Sequence, residues 1–257
     1  MTAYTYPFAS ASVQEAIASF AAYAISIDDL TSDFASDLQA YTTNLTLGCP
    51  QRHSLLQGFT THLSEQPRVF GAYGGDMIIK GALEFISSAL VEFRDMDTLK
   101  LPAEAGDFLI PFRAKTGVAE PFAFFCFPED THPEQDSLGK YLAIVPTIML
   151  FLDYVNDILS FYKENMRMKL ASGSDSASFI KSYARLHGIS LREALQRTTV
   201  EAVDVVKRLR AVCKQDPAVF GHIEPFIQGY ISFHLSFPRY KLSELDIPLA
   251  HRGGITL

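Results

Sequence analysis

The chain has 257 residues, 48% of them apolar and 20% charged, a balance that supports a folded core and excludes a disordered chain. Its 22 Lys and Arg against 29 Asp and Glu leave a formal charge of −7, so the basic footprint that nucleic acid or an anionic membrane surface requires is missing. Three cysteines, Cys49, Cys126 and Cys213, far apart and odd in number, indicate neither a disulfide framework nor a zinc cluster and fit a reducing, cytoplasmic setting.

The opening MTAYTYPFAS lacks a charged region followed by an apolar run, and no stretch reads as the about 18 apolar residues of a membrane span. From Ser12 to Asp37 the apolar residues Val13, Ala16, Ile17, Phe20, Tyr23, Ala24 and Ile27 recur at helical steps, which predicts one amphipathic helix with an acidic end. Gly48-Cys49-Pro50 breaks the pattern; helices follow over Ser54 to Ser64 and Asp76 to Phe93, the second apolar on more than one face. Pro111, Gly117 and Pro121 interrupt the apolar stretch Gly106 to Ala123, which reads as a broken helix of the kind that borders sites. After a polar loop over residues 128–136, a helix from Leu138 to about Met168 is too apolar for a surface position. Ala171 to Ala177 reads as a Ser/Gly-rich loop. Ser190-Leu-Arg-Glu193 is a capping box opening a helix to about Lys214, and Asp216-Pro217 opens the last one, through Leu235. No alternation of period two is sustained. The expected class is all-α: one domain over residues 1–257, a single bundle of long helices around a central one.

Three groups of residues carry chemistry. Asn156, Ser160 and Glu164 lie four residues apart, hence on one face of a helix, where an apolar face was expected. An amide, a hydroxyl and a carboxylate are hard oxygens suited to Mg²⁺; a row of surface polar residues ending at the Lys163-Glu164 edge is the plainer alternative. Asp28-Asp29, with Asp33 and Asp37, sits where the helix dipole disfavours carboxylates, with Asp29, Asp33 and Asp37 sharing a face; a solvated helix end and a divalent-cation site both fit. Arg239-Tyr240-Lys241 follows Pro238, just past an aromatic helix with Phe226, Tyr230, Phe233 and His234.

Together these residues resemble the fungal class I terpene cyclases of the trichodiene synthase type. The metal motif N-D-x-x-S-x-x-x-E of that family is matched in full by Asn156, Asp157, Ser160 and Glu164 within VNDILSFYKE, its arginine–tyrosine pair by Arg239-Tyr240, and its diphosphate-sensing arginine by Arg113 in FLIPFRAKTG. Lys163 occupies the position of a diphosphate-contacting lysine. The similarity runs from about Phe20 to Glu244. It implies the class I terpenoid synthase fold with a central apolar cavity, and metal ligation by Asp28, Asn156, Ser160 and Glu164. It also implies that Asp29 pairs with Arg239 as the mouth closes. In place of the last aspartate of D-D-x-x-D the chain has Ser32, with Asp33 one residue later, and related enzymes carry about two more helices ahead of the segment matching Ser12–Asp37.

The activity so implied is ionisation and cyclisation of a prenyl diphosphate, farnesyl diphosphate first, by three Mg²⁺ ions with Arg113, Lys163, Arg239 and Tyr240 donating to the leaving group. The product is a cyclic sesquiterpene whose identity no motif encodes. The expected partner is this small molecule, with neither nucleic acid nor membrane, and a homodimer is left open. Among the aromatics Phe20, Tyr23, Phe85, Phe122, Phe125, Phe151, Tyr154, Tyr230 and Phe233 lie on candidate lining segments, whereas Cys126 and His234 read as packing residues. An arginine facing an empty cavity would be unpaired, so Arg113→Ala is expected to leave stability nearly unchanged. Alternative readings are a prenyl-chain-elongating synthase, for which a second aspartate-rich motif would be expected where Asn156-Asp157-Ile-Leu-Ser160 stands, and a catalytically silent diphosphate-binding helical protein.

Overall fold

A computed structural model describes residues 1–95, 99–170 and 178–245, with the side chains of residues 103 and 167–170 excepted. The loop read over Ala171 to Ala177 lies outside the described residues. The described residues contain thirteen α-helices and four short 3₁₀ turns joined by loops, with no strand among them. In chain order the helices are α1 (Thr2–Thr5), α2 (Ala11–Asp29), α3 (Ala35–Thr46), α4 (Ser54–Ser64), α5 (Gln66–Phe70), α6 (Ala72–Asp95), α7 (Leu109–Thr116), α8 (Ala119–Phe124), α9 (Glu134–Tyr141), α10 (Val145–Leu170), α11 (Phe179–His187), α12 (Leu191–Cys213) and α13 (Pro217–Ser236).

Helix α10 is central: it packs against α7, α8, α11, α12 and α13 and buries Ile148, Phe151, Leu152 and Val155. By length and composition the segment Glu134–Met166 is apolar enough to cross a membrane, which corrects the expectation that no stretch is. Half of its most apolar window is buried inside the bundle, as befits the core helix of this fold. Two predicted helices are divided. The one expected over Leu138 to Met168 stops at Tyr141, passes through a 3₁₀ turn at Leu142–Ile144 and restarts at Val145, because Pro146 has no N–H to continue a helix and fits only its first turn. The one expected over Ser12 to Asp37 ends at Asp29, where the Thr31 hydroxyl donates to the Ile27 carbonyl at 2.7 Å and takes over an acceptor that the next turn would have used. Asp33 and Asp37 therefore do not share a helical face with Asp29.

The caps follow the sequence closely. Ser190 Oγ accepts from Glu193 N at 3.2 Å, and Asp216 Oδ1 accepts from Ala218 N and Val219 N at 2.9 and 3.2 Å. The amphipathic helix α11 was not anticipated. At the amino terminus α1 lies against α13, where Gly229 permits the approach: a Cβ there would strike the Tyr4 carbonyl. Met1 thereby reaches the wall of a central cavity.

Candidate active site

The cavity holds about 780 Å³ and opens between α2, α6, α10, α13 and the Pro238–Tyr240 turn, with the α7–α8 break on its wall. That break is the broken helix expected from Pro111, Gly117 and Pro121: α7 ends at Thr116, and Val118 takes a left-handed φ of 54° before α8 begins. The cavity wall brings together Asp28, Asp29, Arg113, Asn156, Lys163, Glu164, Arg239 and Tyr240 from segments far apart in sequence.

Arg113 is the electrostatic hub. Its Nε donates to Asp157 Oδ1 at 2.8 Å, its Nη2 to Asn156 Oδ1 at 3.1 Å, and its Nη1 lies 3.6 Å from Asp153 Oδ1. Burial works against its charge, but Asp157 and Asp153 more than offset that, and its affinity for the proton rises. Arg113 is thus paired within the protein, contrary to the expectation of an unpartnered arginine: two adjacent turns of α10 supply its acceptors. Asp153 and Asp157 are themselves nearly inaccessible, and burial pushes them up to about 7 and about 6 against the pull of Arg113. Glu92, on α6, is likewise raised by burial to about 7, with Arg113 opposing and Asp28, Asp157 and Glu164 adding to it. Neither Asp153 nor Glu92 was found from the sequence; Asp153, one turn before Asn156 on a largely apolar helix, was the available signal.

Gly117 makes room for this hub. A Cβ at that position would lie 2.6 Å from Asp153 Oδ1 and closer still to Arg113 Nη1. The guanidinium cannot swing aside without giving up acceptors, so Gly117→Ala is expected to cost about 1–3 kcal/mol of stability, in the range of overpacking, and to lower turnover. Thermal melting and steady-state rates check this; a variant with wild-type values for both would contradict it.

On α10, Asn156 and Glu164 reach the cavity, whereas Ser160 is fully buried and donates its hydroxyl proton to Glu164 Oε1 at 2.6 Å. Asp28 projects from the last turn of α2 into the cavity, its carboxyl raised by burial and by Asp29 while Arg239, Lys163 and Arg113 oppose the rise. Ser32 lines the cavity, and Asp33, whose Oδ1 accepts from Ser32 Oγ at 3.1 Å, does not. Tyr240 is buried, with Lys163 Nζ 5.4 Å from its ring centre; burial pushes its hydroxyl up to about 12, with Arg239 opposing and Glu164 adding.

Arg239 Nη2 donates to Asp29 Oδ1 at 3.4 Å, so this pair is already in contact. Its members keep 33% and 38% of their side-chain surface exposed, and such a pair contributes at most about 1 kcal/mol to stability. Asp29→Asn and Arg239→Gln are therefore expected to leave melting nearly unchanged, to slow catalysis about tenfold each and to alter the product mixture. The double variant should fall short of the product of the two losses. Strict additivity with unchanged products would separate the two residues.

Of the aromatics named from sequence, Phe85, Phe122, Tyr230 and Phe233 line the cavity. Phe20, Phe125 and Phe151 are instead fully buried in the core, and Phe93, Phe179 and Phe237 were missed. Among the described residues no three His, Cys, Asp or Glu side chains are grouped closely enough to hold a metal ion by themselves.

An all-α bundle with a cavity walled by carboxylates, cations and aromatic faces defines the class of the terpenoid synthases. Residues 1–247 match the family described as Trichodiene synthase (TRI5), and the chain belongs to that family. It is 34% identical over 243 residues to an (E)-beta farnesene synthase of Metarhizium brunneum, spanning 95% of this chain and 72% of that protein. It is 31% identical over 240 residues to terpene synthase BipA of Cochliobolus sativus, spanning 92% and 71%. With the trichodiene synthase of Stachybotrys chartarum it shares 26% over 224 residues, 87% of this chain and 56% of that one. The linalool/nerolidol synthase of Streptomyces clavuligerus has the same fold, with a TM-score of 0.66 at 14% identity over 91% of this chain and 85% of that structure. The chain is a terpene synthase, an enzyme of the divalent-metal-dependent class that acts on prenyl diphosphates.

Proposed function

We propose that the chain works as a single α-domain in the cytoplasm, ionising farnesyl diphosphate with three Mg²⁺ ions and directing the allylic cation to a cyclic sesquiterpene. The observation that carries this reading is the convergence of Asp28, Asn156 and Glu164 with Arg113, Lys163, Arg239 and Tyr240 around one cavity that is also lined by Phe85, Phe122, Leu152 and Phe233.

The donor set fits a hard cation. Asp157 Oδ2 is buried without a hydrogen-bond partner, and the carboxyls of Asp28, Glu92, Asp153 and Asp157 are all raised, by burial first and by neighbouring carboxylates second, an environment in which a bound cation would favour their charged forms. Asn156, Ser160 and Glu164 would hold one ion and Asp28 the others, with diphosphate oxygens completing shells that no cluster of acidic side chains among the described residues supplies. Mg²⁺, when bound, supplies Lewis-acid charge to the departing diphosphate. Ser160 keeps its oxygen lone pairs for a ligand while its proton goes to Glu164.

Arg113, Lys163, Arg239 and Tyr240 are donors, so each can hydrogen-bond the leaving group as the carbon–oxygen bond breaks and the electron pair departs with diphosphate. Phe85, Phe122, Tyr230 and Phe233 offer ring faces to the cation left behind and exclude water from it. Incubation with farnesyl diphosphate and Mg²⁺, followed by gas chromatography of a hydrocarbon extract, tests the reading. A cyclic C15 product is expected. A lengthened prenyl diphosphate would mark an elongating enzyme, and no turnover a silent diphosphate-binding form.

A further inference from the structure

His234 reads from the sequence as a packing residue, yet both of its ring nitrogens are engaged although only 1% of the residue is exposed. Nδ1 lies 2.8 Å from the Tyr230 carbonyl oxygen and Nε2 lies 3.2 Å from Asn156 Nδ2. A carbonyl only accepts, so Nδ1 carries the proton and donates it; Nε2 is left with a lone pair and accepts from the Asn156 amide nitrogen. Tyr240 and Tyr230, each with its ring centre 4.4 Å away, hold the plane of the imidazole.

The other end of the amide is fixed independently. Arg113, which can only donate, approaches Asn156 Oδ1 at 3.1 Å. An asparagine amide is almost symmetric in shape but not in chemistry: its oxygen can ligate a hard cation through the lone pair Arg113 leaves free, and its NH₂ cannot. We propose that His234 is a positioning residue that holds the Asn156 amide with its oxygen, and not its nitrogen, available to the cation. The proposal rests on the reading of Asn156 as a metal ligand. It gives His234 the role of an outer partner that orients a ligand, a role whose loss typically weakens metal affinity by about 10–100-fold.

The test is the Mg²⁺ concentration at which inorganic diphosphate raises the melting temperature, a readout that needs no turnover. His234→Phe keeps the bulk of the ring and removes the acceptor; it should melt close to wild type without ligand and require about tenfold more Mg²⁺ for the same rise. His234→Leu carries the same test should the larger ring disturb folding. His234→Gln, whose Oε1 can accept from Asn156 Nδ2, should recover most of the loss. In the Asn156→Asp background, where the two carboxylate oxygens are equivalent and no wrong orientation exists, His234→Phe should leave the Mg²⁺ midpoint unmoved. A wild-type midpoint in both His234→Phe and His234→Leu, or an equal shift in the Asn and Asp backgrounds, would overturn the positioning role alone. No Mg²⁺-dependent rise in the wild type would overturn the metal reading and this proposal with it.

Discussion

Replacing Asn156 and Glu164 together by alanine is expected to lower turnover of farnesyl diphosphate by roughly 10³-fold, the equivalent of about 4 kcal/mol of lost transition-state stabilisation. Both side chains reach the cavity, and under the proposed metal reading they would supply an amide oxygen and a formal charge to one cation. Glu164→Ala alone should be the most damaging of the three single changes at Asn156, Ser160 and Glu164, because only the carboxylate attracts Mg²⁺ through its charge. It also strands the buried Ser160 hydroxyl, which donates to Glu164 at 2.6 Å, at a cost of about 1–3 kcal/mol. Circular dichroism and melting must therefore accompany the rates. A folded double variant turning over at near wild-type speed would overturn the assignment of this face to metal.

Arg113→Ala is expected to be costly in a second currency, stability, and in a pH-dependent way. Removing the guanidinium leaves Asp153 and Asp157 buried and unpaired, a situation that typically costs about 3–5 kcal/mol when both stay charged. Both carboxyls are already raised, to about 7 and about 6, and without the opposing cation they rise further. A carboxyl raised in the folded state binds its proton more tightly there than in the unfolded chain. Its presence therefore lowers stability as pH climbs from the unfolded value near 4 through the folded value. The variant should accordingly melt close to wild type near pH 5, where both aspartates are protonated, and well below it near pH 8. Adding Asp157→Asn should recover part of the loss at pH 8, as it deletes one of the stranded charges. Equal melting of variant and wild type across pH 5 to 8 would mean that the hub contributes nothing to the fold. Because this arginine also faces the cavity, its turnover should fall at every pH, and the two effects separate by comparing rates at pH 6 after correction for the folded fraction.

Much of the architecture is legible along the chain because helices are local objects. Their periodicity, the caps at Ser190 and Asp216 and the breaker at Gly117 all act within a few residues, and the structure bears these out. The division at Pro146 was readable on the same terms, and the continuous apolar pattern hid it. The face made by Asn156, Ser160 and Glu164 was equally available, since the 3.6-residue period alone stacks them.

What the sequence could not determine is which groups meet across the bundle. Asp153 and Glu92 carry no motif and became visible only when α6 and α10 converged on Arg113. Ser160 and Asp33 were named with the rest of their motifs, yet only tertiary packing shows Ser160 fully buried behind Glu164, to which it donates, and Asp33 off the cavity wall. The aromatics divide for the same reason: spacing puts Phe151 and Phe122 alike on apolar faces, and only the packing of neighbouring helices decides which ring is covered and which is left facing a void. The sequence by itself determined the helices, their class and the residue types that carry the chemistry. The tertiary structure decided which partner each charge has, because burial and electrostatic pairing depend on distances through space that no spacing along the chain encodes.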